Sequence, residues 1–275
     1  MNVFRLELHN LKRGFLLWSL VIASTAFCFM ALYPSFKRTD MTAMLDAKTS
    51  GFSPEMLKMF GLDTMPDFTV ITEFFAYEMQ YIALAGGIYA ALRGTTALIG
   101  EETSGTIEYL YSQPVRRSSI FIEKLLGNFA VFTAYILFVL VVSEISGMLF
   151  KSASAPVCDT LYGIFMVCAA MYLSGLIFLA IGFLFSVLLK SARQITAISI
   201  GFVFATYILG LLGKALSSNI KGIGNLRYVS PLDYFVPADV MKNGFEIKYI
   251  VIGFIVSALS LLAAYSIYQK KDLRS

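Results

Sequence analysis

The chain has 275 residues, of which 57% are hydrophobic and only 15% charged, and its mean hydropathy is +0.72. That surplus of apolar side chains excludes a water-soluble globular domain and points to an integral membrane protein. The formal net charge is +4, but the basic residues border apolar segments and do not share one face, which argues against a nucleic-acid partner.

Residues 1–13 mix Val3, Phe4, Leu6, Leu8 and Leu11 with Arg5, Glu7, His9, Lys12 and Arg13. The pattern suits either an interfacial helix or a solvated leader. The uncharged run over 15–33 is longer than the roughly 7–15 apolar residues of a secretory signal, so it reads as a retained membrane helix. A polar loop over 36–73 follows, without a motif that fixes its role. Segments over about 75–92 and 125–150 are long and apolar but carry Glu78 and Glu144, whereas 161–189, 195–212 and 249–268 carry no charge. Each is close to the about 20 residues a crossing helix needs, and continuous runs of this kind exclude a transmembrane barrel. The expectation is an all-α integral membrane protein of six transmembrane helices, a single transmembrane domain over 1–275.

Six crossings place both termini on one side. Arg13, Arg93, Arg116, Arg117, Lys124, Lys190, Arg193, Lys270 and Lys271 cluster near helix ends on that side, which makes it the cytoplasm by the positive-inside rule. Catalytic and metal chemistry find little footing. Cys28 and Cys168 fall inside apolar helices, Cys158 stands alone near the opposite surface, and His9 has no acidic or thiol neighbour at metal-ligand spacing. Gly213-Lys214 is no phosphate loop, because Ile208 holds the first-glycine position and Ala215 replaces Ser or Thr.

Between the second and third apolar segments lies a charged island, Glu101-Glu102-Thr103-Ser104-Gly105-Thr106-Ile107-Glu108-Tyr109-Leu110, closed by Pro114 and Arg116-Arg117. Read as a helix, it puts Glu101, Ser104 and Glu108 on one face and Ile107, Leu110 and Tyr111 on the other, until Pro114 breaks it. An amphipathic element along the membrane and an ordinary hairpin loop both fit that pattern. The order Glu-Glu-x-x-Gly-Thr-x-Glu-x-Leu, then Pro, Arg and a Lys before the next apolar helix, resembles the permease subunits of ATP-binding-cassette exporters of the second permease type, also called type V. Ser230-Pro231-Leu232-Asp233-Tyr234-Phe235 and Lys270-Lys271-Asp272-Leu273 resemble further segments of that family.

The resemblance implies that Glu101, Glu102, Gly105, Thr106, Glu108, Leu110, Pro114, Arg116 and Lys124 belong to a cytoplasmic coupling helix that docks on a separate ATPase subunit. ATP and Mg would then be bound by that partner, and this chain would hold no cofactor, nucleotide-binding domain or catalytic site. It further implies that two copies, or one copy and a related chain, form an export pathway in a bacterial plasma membrane, and that short re-entrant elements precede the sixth helix.

Small residues recur at four-residue spacing as Gly86, Ala90 and Gly94 on the second helix and Ala197, Gly201 and Ala205 on the fifth. By resemblance these helices line the pathway and meet their copies across a dimer axis; packing within one chain is the plain alternative. Tyr77, Glu78, Tyr81 and Glu144 are candidate polar groups of the outer pathway, since intramembrane carboxylates are costly and often functional. A membrane-anchored peptide sensor or immunity protein is a second reading. An ion-driven carrier using Glu78 and Glu144 is a third, although no internal repeat supports it.

Overall fold

The computed structural model describes residues 3–38, 51, 53–59, 66–104, 116–153, 155–217 and 222–271. Among them there are helices and no strands. In chain order the helices are α1 (Val3–Arg38), α2 (Pro54–Met59), α3 (Ile71–Ser104), α4 (Arg117–Phe150), α5 (Val157–Leu188), α6 (Arg193–Leu216), a short 3-10 helix (Ile223–Val229), α7 (Pro231–Tyr234), α8 (Pro237–Asn243) and α9 (Ile247–Lys270). Six of these, α1, α3, α4, α5, α6 and α9, are long and apolar enough to cross a membrane.

Their ends alternate. Glu7, Ala97, Lys124 and the Lys271 carbonyl meet partners at the end of the bundle that carries the termini, here called proximal. Tyr33, Thr69, Lys37, Ser152, Glu73 and Lys242 meet at the opposite, distal end.

Helix α1 takes in both the mixed segment before residue 13 and the first apolar run. Its 36 residues form one continuous helix, roughly 54 Å long at 1.5 Å per residue, against a hydrocarbon core of about 30 Å. The first turns therefore extend the span beyond the membrane core. Leu16, Leu17 and Leu20 are exposed, whereas Ala23, Ala26, Met30 and Tyr33 recur at helical spacing on the buried face. Helix α3 likewise runs past the expected end near residue 92 to Ser104.

The bundle is built around α3 and α5. Two thirds of the apolar window of each is buried, against 17% in α9, which presents Phe254, Leu259 and Leu262 outward. Where α3 and α5 cross, Gly94 faces Gly182. A β-carbon on Gly182 would lie 2.7 Å from the Ala91 carbonyl oxygen and 2.9 Å from Gly94 Cα, and one on Gly94 would overlap the Leu179 carbonyl. Membrane helices gain little from the hydrophobic effect when they associate, so this backbone-to-backbone approach is the packing that holds them together. Gly175 of α5 similarly admits the Phe132 ring of α4, which stacks on Tyr172 at a centroid distance of 6.0 Å.

The small-residue stripe of the second span is thus occupied within the chain. Ala90 is fully buried, Gly86 looks toward Tyr135 and Met171, and Gly94 meets α5. The stripe of the fifth span is not occupied: Ala197, Gly201 and Ala205 are exposed on α6, and a β-carbon on Gly201 would meet nothing within 4 Å.

At the distal end, proline at the first turn starts both α7 and α8, where its fixed φ is already helical and its missing N–H is not needed. Pro231, Leu232, Asp233 and Tyr234 are buried. Gly210 of α6 leaves room for the Asp233 carboxylate, which pairs with Lys214 Nζ at 2.5 Å. In the loop before α3, the Thr69 hydroxyl and then its amide hold the Asp67 carboxyl below its usual pKa, and the Asp67 amide donates to Glu73 Oε2 at 2.8 Å.

Alanine in a helix is favoured over glycine by about 1 kcal/mol, but forced overlap in a packed interior costs about 1–3 kcal/mol, more when backbone must move. Gly94→Ala and Gly182→Ala are therefore expected to lower the thermal unfolding midpoint in detergent, and Gly201→Ala to leave it unchanged or raise it. Equal behaviour of the three variants would contradict the α3–α5 crossing.

Candidate functional site

The proximal end gathers side chains from four helices around the last turns of α3. Lys124 of α4 is buried, and its Nζ donates to Glu7 Oε2 of α1 at 3.1 Å and to the Ala97 carbonyl of α3 at 2.8 Å. Asn128, one turn further along α4 and on the same face, donates from Nδ2 to Glu7 Oε1 at 3.0 Å. From the other side, Ser186 Oγ of α5 accepts the amides of Leu98 at 2.8 Å and Ile99 at 3.0 Å. Ser199 of α6 donates to Thr95 Oγ1 at 3.0 Å. Residues 95–99 of α3 are therefore held directly by α4, α5 and α6, and through Lys124 by α1, immediately before the acidic pair Glu101-Glu102.

The electrostatics explain the arrangement. A lone buried carboxylate or ammonium is strongly disfavoured, and the two are tolerated here because each neutralises the other and spends further hydrogen-bonding capacity on amide groups. Such a pair adds little net stability compared with a well-packed apolar pair, but it fixes which residues meet. Arg93 belongs to the same end. Its guanidinium lies at Gly14 of α1 and 5.5 Å from the Tyr89 ring centroid, so it packs inward against α1, where the sequence suggests a side chain reaching to the headgroups.

Of the residues assigned to coupling, Glu101 and Glu102 continue the α3 helix. Gly105, Thr106, Glu108, Leu110 and Pro114 lie outside the described residues. Arg116 is exposed at the N-cap of α4. Lys124 is buried and points into the bundle, toward Glu7. Glu7, Asn128 and Ser186 were not anticipated. One signal was available for Glu7, which is the only acidic residue before Asp40, and another for Lys124 and Asn128, which share a helix face at i, i+4.

Tyr81 donates its hydroxyl to that of Tyr77 at 3.2 Å, while both Glu78 carboxylate oxygens are buried without a hydrogen-bond partner among the described residues. Glu144 lies half-buried on α4.

Removing one member of a buried ion pair costs roughly 3–5 kcal/mol, because the other is left uncompensated. Lys124→Met is thus expected to destabilise the protein strongly, and Glu7→Leu combined with Lys124→Met to recover much of the loss, with thermal unfolding of the single and double variants in detergent as the measurement. Additive losses in the double variant would show that the two side chains act independently.

A six-span bundle with an acidic segment joined to the proximal end of its innermost helix agrees with the comparisons to known proteins. A family model described as ABC-2 family transporter protein matches residues 1–273, nearly the whole chain. No curated protein matches it. Membership of that family implies a membrane-spanning transport subunit that associates with an ABC ATPase. On the extent of that match, this chain belongs to the ABC-2 family of transporter proteins.

Proposed function

We propose that the chain forms the translocation pathway of an ATP-driven exporter, with the segment over 101–116 as the coupling element that receives force from a separate ATPase. The observation that carries this reading is the anchoring of residues 95–99. Side chains from three helices grip α3 within two turns of Glu101, and Glu7 ties one of them, Lys124, to α1, so displacement of the segment moves much of the bundle with it. In this reading Glu101, Glu102, Glu108 and Arg116 face the ATPase. Gly105, Thr106, Leu110 and Pro114 shape the segment, and Lys124 acts from inside by tying its base to α1. ATP and Mg bind to the partner, the proximal side is cytoplasmic, and the membrane is the plasma membrane of a bacterium.

The dimer follows from α6. Gly201, with Ala197 and Ala205, is exposed beside Phe204, Ile208 and Leu212, all of them outside the single-chain core. A stripe of small residues flanked by apolar ones on a membrane helix is suited to close packing with a second copy or a related chain. In the α3–α5 crossing the second-span glycines already serve the interior, so α6 carries this interface. ATP drives the cycle only insofar as the ATPase-bound conformations differ in affinity for the permease states.

Two experiments test the reading. Charge reversal of Glu101 and Glu102 to Lys should leave membrane insertion and thermal stability unchanged and abolish co-purification of an ATPase in mild detergent; undiminished recovery removes the docking assignment. Gly201→Leu should leave single-chain stability intact, because nothing stands within 4 Å of the added β-carbon, while shifting the particle from dimer to monomer by native mass spectrometry. An unaltered dimer would place the interface elsewhere.

A further inference from the structure

The distal end contains a cavity of about 410 Å³ between the start of α3, the end of α6 and the short helices α2, α7 and α8. That volume falls within the roughly 300–1,000 Å³ typical of small-ligand pockets. Its charged residues are not balanced in their pairing. Lys214 is paired with Asp233 at 2.5 Å and Lys242 with Glu73 at 2.7 Å, and Asp239 is not free. Two cations remain. Lys58, at the end of α2, has no ion-pair partner among the described residues, and Arg227 presents a buried Nε that no group accepts from. A buried guanidinium N–H without an acceptor is costly, and an anion is the acceptor that repays it most, through charge-assisted hydrogen bonds.

The remaining wall supplies the second half of the recognition. Tyr81, Tyr207, Leu211 and Leu232 line the cavity, and Tyr81 is 42% exposed. Glu73 lies in the first turn of α3 and Lys214 in the last turn of α6, so the cavity sits at the ends of spanning helices, the level at which cationic and tyrosine side chains meet lipid headgroups. Free anions would need only the cations. An apolar wall beside them at headgroup depth suits a molecule with an acyl or alkyl chain.

We propose that this distal cavity binds an amphiphile through its anionic headgroup, a phosphate monoester or similar group held by Arg227 and Lys58, with the chain lying against Tyr81, Tyr207 and Leu211. The assignment rests on the membrane-spanning fold and not on ATP coupling, so it stands or falls separately from the exporter reading.

The test uses the full chain in nanodiscs of zwitterionic phosphatidylcholine, titrated calorimetrically with dodecyl phosphate, dodecyl maltoside and inorganic phosphate. Dodecyl phosphate is expected to bind saturably at one per chain, and Lys58→Gln with Arg227→Gln to weaken it at least about tenfold, equivalent to about 1.4 kcal/mol. Arg227→Lys, which keeps a cation, should recover part of the affinity, and Lys190→Gln at the proximal end should change nothing. Because neither Lys58 nor Arg227 has an ion-pair partner among the described residues, the variants should retain wild-type thermal stability. Equal binding by wild type and the double variant overturns the proposal, as does equal binding of the uncharged maltoside. Inorganic phosphate binding as tightly as dodecyl phosphate overturns the amphiphile and identifies a free anion as the ligand. Saturable, Arg227-dependent binding by a chain that recovers no ATPase would uphold the site while removing the exporter reading.

Discussion

The separation between α3 and α5 is set where Gly94 faces Gly182, and the geometry of the proximal end follows from it. With no β-carbon on either side, backbone atoms of the two helices come within van der Waals contact. One turn beyond Gly182 stands Ser186, and one turn beyond Gly94 stand the amides of Leu98 and Ile99 that its hydroxyl accepts from. An extra methyl at the crossing would push the helices apart and lengthen both bonds from their present 2.8 and 3.0 Å toward the limit of about 3.2 Å for an N–H···O bond. The packing of two glycines and the anchoring of the helix end near Glu101 are therefore one structural feature.

The two ends of the bundle spend their charges differently. At the proximal end the ionic groups are buried and pair across α1 and α4, with an α3 carbonyl completing the ammonium. At the distal end the pairs Lys214–Asp233 and Lys242–Glu73 brace short helices against the spans, while Lys58 and Arg227 have no ion-pair partner among the described residues. Salt weakens contact pairs such as these little, because screening sets in beyond a Debye length of about 8–10 Å. Both ends are thus held in register by their ion pairs, and Lys58 and Arg227 are the distal cations outside those pairs that a ligand would take up.

The number and type of spans were legible in the sequence because hydrophobic length is a property of each segment alone. Their ends were harder to read. Arg93, Glu101 and Glu102 interrupt the apolar run of the second span, yet α3 continues to Ser104 because Arg93 finds Gly14 and Tyr89, and the backbone near residue 97 finds Lys124. Lys124 looked like a surface residue for the same reason: its partner Glu7 is far away in sequence, and spacing within one motif carries no information about a contact between helices. The two small-residue stripes are equivalent as patterns. Only the fold distinguishes Gly94, which meets α5, from Gly201, whose β-carbon position has nothing within 4 Å among the described residues.

The strength of the proximal anchoring constrains how the proposed exporter would move. Coupling between sites in proteins is typically worth about 1–3 kcal/mol, less than the roughly 3–5 kcal/mol lost when a buried ion pair is deprived of one partner. Motion delivered through the segment after Ser104 would therefore not bend α3 at Ala97 and break its bonds to Lys124 and Ser186. It would carry α1, α3, α4 and α5 together, with the change absorbed at contacts that are less tightly held. The α6 face, which touches neighbouring helices through Ser199 but leaves Gly201 and Ala205 uncovered, is the nearest such surface. A pathway opened by sliding there would need no helix in the core to deform, which is consistent with an interior whose closest contact is backbone against backbone.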